Sequence, residues 1–165
     1  MYEYEFFELE IKETLHYLKD NSYDIKEASK IISNILSSFI KDLSFVYKLL
    51  SNLIKNKKKL NSTNSITKYL YNHILPFIKD EEYIFNDLEI AINLLKEDLM
   101  INFKNPISEI EELYLQAYNI VEKVESKNNK INKENLKISL LEFKNNLKNL
   151  KDLIDNYLKL LKVHK

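Results

Sequence analysis

Apolar residues recur along this chain at steps of three and four with few interruptions, which is the rhythm of amphipathic helices. Tyr4, Phe7, Ile11, Leu15 and Leu18 mark one face of a first predicted helix over residues 2–19. Asp20-Asn21-Ser22 breaks it, and Asp24 with Glu27 three residues on forms a capping-box pattern for a second helix. From Ile25 the positions Ala28, Ile32, Ile35, Phe39, Leu43, Val46, Leu50 and Leu53 alternate steps of four and three. A second line, Ile31, Leu36, Ile40, Tyr47 and Ile54, widens the stripe beyond a two-stranded seam, so this helix is expected to touch more than one neighbour.

Residues 55–64 are polar, basic and aperiodic and read as the longest loop. A third helix is expected over 65–104, through Ile66, Leu70, Phe77, Ile84, Leu88, Ala91, Leu95 and Leu99. Pro76 lies inside it, where the missing N–H and the clash with the carbonyl of Asn72 predict a kink or a break. Asn105-Pro106 reads as an N-cap with proline at the first helical position, followed by Glu109, Glu111 and Glu112 at the positive end of a fourth helix. That helix extends to about Ser126 and buries Ile110, Leu113, Ala117, Val121 and Val124. After a loop at 127–130, a fifth helix over 133–163 repeats the rhythm with Leu136, Leu140, Phe143, Leu147, Leu150, Ile154, Tyr157 and Leu161. Short links between long amphipathic helices favour antiparallel neighbours. The predicted fold is all-α, one domain over 1–165, an up-and-down bundle of four main helices with the N-terminal helix alongside.

Composition narrows the chemistry. The chain has no Cys, no Gly and no Trp among its 165 residues, so glycine-rich phosphate loops and glycine nucleophile elbows lose their usual backbone. All 25 basic residues are Lys. Without the bidentate fork of Arg, sequence-specific recognition of nucleic acid is not expected, and the Lys55–Lys59 cluster reads as a solvated loop. The net charge of zero hides blocks: residues 1–24 hold seven acids and two Lys, 25–79 two acids and ten Lys, 80–125 twelve acids and three Lys, and 126–165 four acids and ten Lys. Such blocks select neighbours among the helices. The acidic start MYEYEFFELE differs from a secretory leader, and no stretch approaches the ~18 apolar residues of a membrane span, so a cytoplasmic protein is expected.

Two places carry metal-ligating residue types on helical faces. Glu13-Thr14-Leu15-His16 is a Glu-x-x-His pair, which sets a carboxylate and an imidazole one turn apart, as carboxylate-bridged di-metal bundles require. His73 and Glu81 occupy the apolar positions of the third helix, and Asp42 flanks the stripe of the second. Polar groups there cost free energy unless paired. Glu109, Glu112, Glu142 and Asp152 point away from the apolar stripes of the last two helices, so those helices are not expected to supply further ligands.

Glu5-Phe6-Phe7 followed by Lys12-Glu13, and Pro76-Phe77-Ile78-Lys79-Asp80-Glu81-Glu82-Tyr83, resemble helices of the ferritin-like and hemerythrin-like bundle proteins. Those families bind iron through Glu and His on facing helices, and the resemblance implies that role for Glu13, His16, His73 and Glu81. The residues themselves favour a different reading. The double stripes of the first two helices offer more apolar surface than a minimal bundle needs, which points to a non-enzymatic protein that binds another protein or a second copy of itself. Iron binding is the alternative.

Overall fold

The structure, a computed structural model, describes residues 25–55, 82–100, 102–125 and 133–163. Among them are four helices, α1 (Ile25–Lys55), α2 (Glu82–Leu99), α3 (Ile107–Glu125) and α4 (Lys133–Val163), and no strand. They correspond to the last four predicted helices, α2 being the second half of the third. The first predicted helix and the Pro76 kink lie outside the described residues. None of the described helices is long and apolar enough to cross a membrane.

The four helices share one core. Phe39, Leu43 and Leu50 of α1, Ile92 of α2, Ile110 and Ala117 of α3, and Phe143, Leu150 and Tyr157 of α4 are all buried in it. α1 and α3 pack on each other, and each also packs on α2 and on α4, so α2 and α4 flank a central α1–α3 pair. This central position explains the width of the α1 stripe. Leu36 and Ile54 of its second line are buried, and Ile31, Ile40 and Tyr47 pack against the core. Most of the apolar surface expected to be surplus on this helix is taken up by the fold, and Phe45, off both lines, is 48% exposed.

Cross-helix contacts fix direction. Asn146 Nδ2 donates to Gln116 Oε1 at 3.2 Å, and Phe103 packs on Tyr157 with ring centroids 4.3 Å apart. Stepping back from Gln116 to Phe103 thus moves the partner forward from Asn146 to Tyr157, so α3 and α4 run antiparallel. Tyr47 of α1 stacks on Phe143 of α4, with centroids 6.3 Å apart and planes 4° from parallel. Rings of this size add about 0.5–1.5 kcal/mol per pair beyond their buried area.

The link from α2 to α3 is built around one side chain. The backbone N–H of Ile107 donates to Asn105 Oδ1 at 3.1 Å, and that of Ile110 to the Pro106 carbonyl at 3.0 Å. Asn105 is therefore the N-cap and Pro106 the first helical residue, as their order predicts. The Asn105 amide also donates back to α2, to the Glu89 carbonyl at 2.8 Å and to Asn93 Oδ1 at 3.0 Å. Those bonds require the chain to leave the helix before Asn105. α2 ends at Leu99, short of the predicted Lys104, and Met100 adopts a left-handed φ of 56° while its N–H closes the turn on the Glu97 carbonyl at 3.1 Å. Glycine is the usual residue at such a helix exit. This chain has none.

Candidate functional site

Glu13, His16, His73 and Glu81, the sequence-predicted iron ligands, lie outside the described residues. Among the described residues no group of three or more His, Cys, Asp or Glu side chains gathers to hold a metal. The carboxylates of the last two helices lie where the periodicity places them: Glu112, Glu142 and Asp152 are exposed, and Glu109 is half-buried. Partial burial tends to raise the Glu109 pKa, but hydrogen bonds from Lys104 and Ser108 outweigh it and hold the carboxyl below its ordinary value. The Lys104 Nζ to Glu109 Oε1 distance is 2.6 Å. Glu109 sits on the first turn of α3, where a carboxylate also meets the positive end of the helix.

Two polar groups enter the interior of the described bundle. The Tyr114 hydroxyl of α3 donates to Asp42 Oδ2 of α1 at 2.6 Å. The Tyr114 ring meets Phe39 edge-on at 6.2 Å, one turn from Asp42 along α1. A hydroxyl donating to an ionised carboxylate gives a short, charge-assisted bond, so the flanking carboxylate noticed in the sequence ties α1 to α3. The second group is Tyr157, whose side chain is 1% exposed and whose hydroxyl has no hydrogen-bond partner among the described residues. Burial pushes its phenol well above the ordinary value, so it stays neutral at physiological pH. Phe103 covers its ring, and the Lys96 ammonium lies 4.9 Å from the centroid of Phe103. Both arrangements pack or tie one part of the bundle against another.

The outer surface carries the stronger signal. Ile90 and Leu94, one turn apart on α2, are 51% and 49% exposed, and Ile138 and Leu141 on α4 are 55% and 56% exposed. At 3.6 residues per turn, each pair falls on the side of its helix opposite the buried stripe: Leu88, Ala91 and Leu95 on α2, and Phe143, Leu147 and Leu150 on α4. Edge burial therefore does not account for them. The ground around the pairs differs in sign. Glu97 and Asp98, both exposed, lie beside Leu94, whereas exposed Lys137, Lys144 and Lys148 line one edge of the Ile138–Leu141 strip and Glu142 stands on the other. Periodicity directs attention to core stripes and passes over these four residues. The signal that finds them is an apolar pair three or four residues apart lying off the stripe.

Comparison with protein-family models, with curated proteins and with solved structures found no match.

Proposed function

We propose that this protein acts without catalysing a reaction, as a helical bundle that binds protein, either another chain or a second copy of itself, through the outer faces of α2 and α4. The observation that carries the reading is the placement of Ile90, Leu94, Ile138 and Leu141, about half exposed and turned away from the core. Solvating such side chains costs about 25 cal/mol per Å² of apolar surface, and a partner's surface recovers that free energy.

A photo-crosslinking side chain placed in turn at 90, 94, 138 and 141, and at exposed Lys41 of α1 as a control, tests it. Adducts with one defined protein from those positions and not from 41 are the expected result. Absence of adducts at all four, or equal labelling from 41, would refute the reading.

A further inference from the structure

The two outer faces complement each other, and resting on the reading of them as protein-binding surfaces, we propose that the α2 face of one copy docks on the α4 face of the next. Each face has an apolar pair about one turn long at its centre, Ile90 with Leu94 and Ile138 with Leu141, and each of the four side chains is about half exposed. Beside the first pair stand Glu97 and Asp98; beside the second stand Lys137, Lys144 and Lys148 on one edge, with Glu142 on the other and Glu134 one turn before Ile138. Laid together, apolar meets apolar and carboxylate meets ammonium. Two α2 faces would instead set Glu97 and Asp98 against carboxylates, which disfavours a symmetric pairing of that face with itself.

The direction of assembly follows from the fold. α2 and α4 each pack on both α1 and α3 and not substantially on each other, so a copy that uses its α2 face still offers its α4 face to another. Such a contact is heterologous, and it adds copies head to tail instead of closing a two-fold dimer. Four apolar side chains at the centre fall short of the ~1,600 Å² of a standard stable complex, so the assembly is weak and depends on concentration.

Sedimentation velocity over a concentration series of the full chain tests this. The wild-type chain is expected to grow past a dimer as concentration rises, while Leu94→Asp and Leu141→Asp each remain monomeric alone. Mixed in equal amounts, the two variants are expected to form a heterodimer that grows no further, because one intact α2 face meets one intact α4 face. A second pair of variants separates charge from folding. Lys144→Glu with Lys148→Glu abolishes assembly, and adding Glu97→Lys with Asp98→Lys to the same chain restores it. A wild-type chain that stays monomeric throughout overturns the head-to-tail contact, while crosslinks to a different protein from the same positions would still uphold the binding surfaces. Dimerisation of either Asp variant alone, a mixture that stays monomeric, or failure of the reversed charges to restore growth also overturns it.

Discussion

The Tyr114 hydroxyl reaches Asp42 Oδ2 at 2.6 Å across the α1–α3 contact and makes a charge-assisted bond inside the bundle. Hydrogen bonds to charged groups contribute about 1.5–3 kcal/mol. Tyr114→Phe removes the donor and leaves the carboxylate partly buried, so chemical denaturation is expected to show a loss in that range. A loss below about 0.5 kcal/mol would mean that the bond adds no more than an ordinary surface contact.

Tyr157 makes the opposite prediction. Its buried hydroxyl has no hydrogen-bond partner among the described residues, so it has given up water without compensation. Tyr157→Phe keeps the ring against Phe103 and is expected to be neutral or to stabilise the fold by about 1 kcal/mol. The same residue sets a pH dependence. Its folded pKa is raised above the ordinary 10.0, so its neutral form is shared by folded and unfolded chains below that pH, and only the unfolded chain ionises as pH rises past it. Stability is thus fully present below pH 10 and falls above it, by roughly 1 kcal/mol over the first unit. Denaturation midpoints of the wild type and of Tyr157→Phe across that range should diverge, with the variant falling less; parallel curves would exclude Tyr157 as the cause.

Met100 is exposed and left-handed. A residue with a side chain pays about 1–2 kcal/mol for that conformation, and glycine avoids the clash. Met100→Gly removes no buried contact, so thermal unfolding should show a gain of about 0.5–1 kcal/mol. An unchanged or lowered midpoint would argue against a left-handed exit from α2.

Asn105 caps α3 and holds α2 with the same amide. Loss of a cap alone costs about 1 kcal/mol. Asn105→Ala also loses two bonds to α2, so a cost nearer 2 kcal/mol is expected, and Asn105→Asp, which keeps the cap but not the donors, should recover part of it. Equal costs for the two variants in denaturant would mean that the bonds to α2 contribute nothing.

Much of this fold was legible because its code is local. The alternation from Ala28 to Leu50 names the buried face of α1, and that from Leu136 to Leu161 the face of α4, since helical spacing alone decides which side chains share a side. Asn105-Pro106 was legible as a start because an N-cap and an N1 proline act within one turn. The early end of α2 was not, because Leu99 continues the apolar rhythm and only the reach of the Asn105 amide back to Glu89 and Asn93 explains the exit at Met100. The Asp42–Tyr114 bond spans α1 and α3, and nothing near either residue announces the other. For the same reason the breadth of the α1 stripe suggested a free surface, whereas α2, α3 and α4 all pack on this helix and cover most of it. The surfaces that remain, on α2 and α4, became visible only once burial had separated stripe from outer face. The four residues of the expected iron site lie outside the described residues.

The central claim is that Ile90, Leu94, Ile138 and Leu141 serve a contact beyond the chain's own fold. Urea denaturation of a variant with all four changed to Ser, at a concentration below that of any assembly, tests it most directly. The predicted result is an unfolding free energy within about 0.5 kcal/mol per site of the wild type, as expected of exposed positions. A loss of about 2 kcal/mol or more per site would contradict it, because only side chains buried in the fold itself cost that much to truncate.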